Sequence, residues 1–136
     1  MKIRVLCILL AVGLLTGWTV GKPSDASASK VTAPPKNVVR SLKLDPFYKK
    51  YINASGVAVV SSEKVSDYAL LEAEYLINKM LEGRPDISKA MAARKARMII
   101  MGVNEFTTDM PEHSRMKPKG FWDKRARGLG GQPHRP

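Results

Sequence analysis

Thiols are nearly absent from this chain. Among 136 residues there is one cysteine, Cys7, inside an apolar run near the N-terminus, so no disulfide can form within the chain. Histidine is almost as scarce, His113 and His134 alone, and no HExxH occurs. A catalytic zinc usually takes three protein ligands, often two histidines one turn apart on a helix, and that spacing is missing. No Gly-x-Ser-x-Gly frames Ser61 or Ser62, which removes the sequence support for a strained nucleophile turn. Gly128-Leu129-Gly130-Gly131 lacks the Gly-Lys-Ser/Thr ending of a phosphate loop and opens no helix. Nor does any apolar run approach the ~20 residues that a membrane-spanning helix needs.

What stands at the N-terminus reads as an export signal. Lys2 and Arg4 precede the apolar residues 5–15, and Ala26-Ser27-Ala28 offers small residues where a signal peptidase cuts. Cleavage after Gly21 is the alternative. Trp18 stands where a lipoprotein would carry its lipidated cysteine, so a lipobox is excluded. A signal peptide over residues 1–28 implies a secreted or periplasmic destination and no stable membrane span after cleavage. Cys7 would leave with it, and packing alone would hold the remainder together.

The formal charge is +11. Without residues 1–28 the chain loses Lys2, Arg4, Lys22 and Asp25, which leaves 20 basic and 11 acidic residues, a net charge of +9. For an exported protein this excess points to anionic cell-surface polymers or acidic substrates, or serves solubility alone; nucleic acid is not an expected partner.

Residues 29–43, rich in Ser, Ala, Pro and Lys, read as a flexible leader with Pro34-Pro35 opposing regular structure. Phe47, Tyr48 and Tyr51 then fall at helical spacing and suggest a short helix or turn packed on the body. Asn53-Ala54-Ser55 is a glycosylation sequon, meaningful only in a eukaryotic secretory pathway. Residues 56–60 and 98–102 are wholly apolar without alternation, the pattern of strands covered on both faces.

Between those strands the sequence predicts two helices. Ser66 suits an N-cap and Asp67 the first turn; Ala69, Leu70, Ala73, Leu76, Ile77, Met80 and Leu81 then share one face. Gly83 and Pro85 end this helix, and Asp86 can cap a second one to about Lys95 with Ile87, Ala90 and Met91 inward. The order strand-helix-helix-strand makes the strands parallel. Its helices would lie on one face of the sheet, leaving the other without an obvious cover. The fold class is therefore α/β or α+β, mostly helical, with residues 44–127 as the folded part and 128–136 as a flexible tail.

The polar loop 104–113 follows a strand's carboxyl end, where α/β proteins often place function. Asn104, Glu105, Asp109, Glu112 and His113 are its candidate functional residues, with Asp109, Glu112 and His113 carrying metal-ligand chemistry. Residues 118–127 read as a short basic helix anchored by Phe121 and Trp122; Lys117, Lys119, Lys124, Arg125 and Arg127 beside them resemble a weak nucleic-acid patch, against which export argues.

Three longer strings carry a resemblance. They are Ser62-Glu63-Lys64-Val65-Ser66-Asp67-Tyr68-Ala69-Leu70-Leu71-Glu72-Ala73, Asn104-Glu105-Phe106-Thr107-Thr108-Asp109-Met110-Pro111-Glu112-His113 and Trp122-Asp123-Lys124-Arg125-Ala126-Arg127-Gly128-Leu129-Gly130. From about Leu44 onward the chain resembles the N-terminal part of an exported, largely uncharacterised family whose longer members are zinc-metallopeptidase-like and continue to an HExxH helix. The resemblance implies a partial zincin-like domain truncated before that helix, with its C-terminal half or another protein as partner. It implies no catalytic residue or metal ligand in this chain, and zinc only where a C-terminal continuation exists. The competing reading is a complete, small, basic binding protein of the cell envelope that dimerises or docks on a partner.

Overall fold

The computed structural model describes residues 29–131. Residues 1–28, read as a signal peptide, with both candidate cleavage points, and residues 132–136 lie outside them. Within the described residues, four helices and one three-stranded sheet form a mixed α+β fold. The order is α1 (Lys36–Leu42), β1 (Lys50–Ala54), β2 (Val57–Ser61), α2 (Asp67–Met80), α3 (Pro85–Ala93), β3 (Arg97–Ile100) and α4 (Lys119–Arg125), with two 3-10 turns, Thr107–Asp109 and Pro111–His113, before α4.

Strand β2 is central. All five of its residues are buried, as its unbroken apolar run predicts. It pairs parallel with β3, Val59 opposite Met98 and Val60 opposite Ile99, in the arrangement expected of the strand-helix-helix-strand unit. Its other neighbour corrects the sequence reading. The segment holding Tyr51 is a strand, and β1 pairs antiparallel with β2. Ala54 faces Val57 across a two-residue turn, Ser55-Gly56, in which both residues have positive φ (49° and 87°). Positive φ at both central positions is the type I′ geometry, whose twist matches that of paired strands. Asn53, the sequon residue, is exposed, and its side-chain oxygen accepts the Gly56 amide at 2.9 Å.

The sheet is clad on two sides. On one side Ile52, Ala54 and Val59 pack with Leu70 and Ile77 of α2. On the other, Val60 packs with Leu44 and Tyr48, and Val38, Leu42, Phe47, Tyr51 and Ile99 close around them. Helix α1 thus comes from the segment read as a flexible leader. Pro34-Pro35 does not prevent a helix but precedes it: Pro35 is the extended N-cap residue, and regular structure starts just after. Thr32 also bridges to Tyr51. The second face therefore has a cover drawn from within the chain.

Helix α2 begins as predicted, with the Ser66 hydroxyl accepting the Tyr68 amide. Its buried face is narrower than the apolar pattern. Leu70 and Ile77 are buried, whereas Leu76 is 49% and Met80 80% exposed. The helix lies over β1 and β2, with Ala69, Leu71, Ala73 and Leu81 partly buried beside Leu70 and Ile77. Helix α3 starts one residue ahead of the predicted cap: Arg84 is the N-cap and Pro85 the first residue, while Asp86 binds the Arg84 guanidinium at the surface. No residue of α3 is fully buried.

Coverage fails at β3. Its residues are half-buried, and Met98 is 44% exposed although it stands in register with fully buried Val59. Among the described strands, β3 pairs on one side only.

These burials separate two methionine-and-leucine positions that the helical pattern treats alike. Leu70→Ala should cost about 3 kcal/mol in urea unfolding and Met80→Ala less than about 0.5 kcal/mol. Equal costs would place both on the same buried face.

Candidate functional site

The loop after β3 is held by acids that point inward. Gly102 stands two residues after the strand, and Glu105 folds back so that its Oε2 accepts the Gly102 amide at 2.7 Å. A Cβ on residue 102 would lie 2.9 Å from that oxygen, so the close approach needs glycine. Glu105 is 2% exposed. Arg127 closes the same turn from outside: its guanidinium donates to the carbonyls of Glu105 (2.9 Å) and Gly102 (3.1 Å). A planar fork suits two adjacent carbonyls better than an ammonium would.

The first 3-10 turn is tied to α4. The carboxylate of Asp123 accepts the Thr108 amide and hydroxyl, both at 3.0 Å, and the Thr107 hydroxyl donates to the Ala126 carbonyl. Helix α4 lies within the predicted segment; of its two expected aromatic anchors Trp122 is half-buried and donates to the Lys117 carbonyl at 3.2 Å while Phe121 is 48% exposed, and Asp123 ties the helix to the turn. Asp109 accepts the Phe106 amide at 2.9 Å and pairs with Lys119 at 3.1 Å. The amide bond first, then Lys119, holds its carboxyl below the usual carboxylate range.

Glu112 makes the deepest connection. Its Oε1 receives Nε and Nη2 of Arg97 at 3.0 and 2.8 Å, and its Oε2 accepts the Tyr48 hydroxyl. The paired side chains are only 9% and 12% exposed. Arg97 also reaches the carbonyl of Leu42 at the end of α1, at 3.4 Å. Burial, then the hydrogen bond and charge of Glu112, push the Tyr48 hydroxyl far above its usual value near 10.

Beside this network lies a cavity of about 290 Å³. Strand β3 and the following Met101 form one wall, Met110, Glu112 and His113 a second, and Arg127 with the glycine-rich residues after it a third. Residues 128–131, read as the start of a flexible tail, are exposed and carry no helix or strand.

The structure thus divides the predicted loop set. Glu112 and His113 reach the cavity; Glu105 is buried behind the loop; Asn104 and Asp109 are at the surface. Asp109 accepts from Phe106 and Lys119 and Glu112 from Arg97 and Tyr48, whereas Glu105 accepts from Gly102 through Oε2 and its buried Oε1 has no hydrogen-bond partner among the described residues. Among the described residues no group of three or more His, Cys, Asp or Glu side chains could hold a metal ion. Sequence reasoning missed Tyr48, Arg97, Asp123 and Arg127, whose partners are distant in the chain. Arg127 does lie in a matching string, but as a surface charge.

Comparison with protein-family models, with curated proteins and with solved structures found no match.

Glu112→Gln should keep the shape of the network yet strand the Arg97 charge, costing about 3 kcal/mol in urea unfolding. A loss under about 1 kcal/mol would show that water reaches the pair. Tyr48 gives a pH dependence. Below pH 10 its hydroxyl is protonated in folded and unfolded chains alike; above it the unfolded chain loses the proton first, so stability falls as pH rises. The stability advantage of wild type over Tyr48→Phe should therefore shrink between about pH 9.5 and 11. A constant gap would mean that the folded hydroxyl ionises normally.

Proposed function

We propose that this chain is an exported fragment or truncated member of a zinc-metallopeptidase-like family, without catalytic activity alone. Its role is to supply a sheet-and-helix layer that another polypeptide segment completes. The observation that carries the reading is the open flank of β3. Among the described residues the strand has a partner on one side only, Met98 is exposed in register with buried Val59, and α2 lies over the other two strands. A strand edge with unpaired amides and carbonyls is a template for a further strand, and natural proteins usually cover or charge it. The cavity along β3 is roomy enough for side chains of an added segment.

In this reading the acids of loop 104–113 do not hold zinc. They fix the loop at the end of β3, where an incoming segment would meet it. Zinc and a glutamate base would have to come from that segment.

A second reading, a small basic binding protein of the cell envelope, draws support from the cations of α4. Such a protein would cover its open face by dimerising or by docking on a partner.

Reading the coding sequence downstream of the Pro136 codon tests the first proposal. An HExxH, in frame or after a frameshift, is expected there. The chain carrying that continuation should then retain one zinc per molecule after dialysis and hydrolyse casein, while the chain alone does neither. In hydrogen exchange, Met98 to Ile100 should exchange faster than Val57 to Val60 in the chain alone and slow in the extended chain. No HExxH, or a β3 already as protected as β2, would overturn the proposal.

A further inference from the structure

Helix α4 has two faces of different character. Trp122, Asp123 and Ala126 turn toward the body, where Asp123 binds Thr108 and Ala126 receives the Thr107 hydroxyl. Phe121, Lys124 and Arg125 are spaced i, i+3 and i+4 and share the opposite face. All three are exposed. The Arg125 guanidinium lies 5.2 Å from the centre of the Phe121 ring, and that ring packs edge-on to Trp122 at 5.4 Å. An aromatic ring of which 48% is in water, capped by a cation, is apolar surface left exposed beside positive charge.

The charges here are one-sided. Residues 115–127 contain six Lys or Arg and one acid, Asp123, whose two oxygens are taken by Thr108. Lys124 and Arg115 have no ion-pair partner among the described residues. Phe106, which opens the 3-10 turn against which α4 packs, is also 47% exposed.

We propose that the outer face of α4, centred on Phe121, Lys124 and Arg125, is a peripheral docking surface for an anionic phospholipid bilayer. Cations on this face meet the headgroup phosphates, and Phe121 enters the headgroup boundary beside them. Polyanion binding alone would use the cations and leave the ring without a role. Rings flanked by Lys and Arg are what a membrane interface favours. The inference is independent of the completion of β3.

The test uses the full chain, whose variants all share the N-terminal apolar run, so that its contribution cancels in ratios. Partition is measured onto vesicles of phosphatidylglycerol and phosphatidylcholine in equal parts, onto phosphatidylcholine alone, and onto heparin as a soluble polyanion. Each Lys or Arg near an anionic surface adds about fivefold to partition. Lys124→Glu with Arg125→Glu should therefore lower binding to the anionic vesicles at least about tenfold. Lys89→Glu with Arg94→Glu, the same charge change on exposed positions of the α3 segment, should cost less than about threefold by screening. Phe121→Ser should lower vesicle binding about threefold and leave heparin binding unchanged. Melting curves matching wild type establish that each variant is folded; Arg125→Gln replaces the double variant should that one melt early. Equal losses from the two charge pairs would reduce the effect to net charge and overturn the proposal. So would a Phe121→Ser chain that binds vesicles as wild type does, with heparin and vesicle binding lost in parallel, since that is a polyanion surface.

Discussion

The ion pair between Arg97 and Glu112 is the constraint on which the arrangement of this molecule depends. Arg97 opens β3, Glu112 sits in the second 3-10 turn, Tyr48 belongs to the segment entering β1, and the Leu42 carbonyl ends α1. One buried carboxylate and one buried guanidinium thus gather four stretches of chain. Burying two charges is costly, and the cost is offset only where most of their hydrogen-bonding capacity is used. Here a two-point contact, a tyrosine hydroxyl and a backbone carbonyl use it. An apolar cluster could hold the same elements together, but without fixing the angle at which the loop leaves the sheet. The directional demand of the guanidinium fork sets that angle, and with it the walls of the cavity beside β3.

The remaining packing radiates from β2, and it does so unevenly. Hydrophobic burial requires a partner for each face of a strand, and β2 has both: α2 on one side, the α1–Tyr48 segment on the other. Strand β1 shares these covers because the tight hairpin brings it alongside. Strand β3 inherits only part of each, through Ile100 on one face and Ile99 on the other. A strand reached through two helices is placed by the length of the crossover, not by a turn, and nothing in α3 descends far enough to bury Met98. The open flank is therefore a consequence of where the helices run.

How much of this was legible in the residues follows from the range of the interactions. Strand β2 and helix α2 were readable because an unbroken apolar run and a 3.6-residue apolar stripe record burial locally. The Ser66 cap was readable because its partner is two residues away. Strand β1 was misread because Phe47, Tyr48 and Tyr51 imitate helical spacing; the Ser-Gly pair after Ala54 was the overlooked turn signal. Helix α1 is hidden because two prolines that oppose regular structure stand just ahead of its first turn. The role of Glu112 could not be read, unlike the three-residue bonds of Glu105 and Asp109. Glu112 and Tyr48 are 64 residues apart, and no pattern in either segment records their meeting.

The fate of those acids decides the character of the surface. In the sequence, Glu105 and Asp123 count against the cations around them. In the structure Glu105 gives one oxygen to the Gly102 amide while its other oxygen is buried without a partner among the described residues, and Asp123 is held by Thr108; neither donor is a cation. Glu112 and Arg97 cancel one another in the interior. Turning acids inward onto uncharged donors leaves their would-be cationic partners outside and uncompensated. The positive face of α4 is thus produced by the same hydrogen bonds that dock it. A protein that spends its carboxylates as internal staples becomes more basic at its surface than its composition implies, and that excess is concentrated where the staples are densest, around the 3-10 turns and the helix they hold.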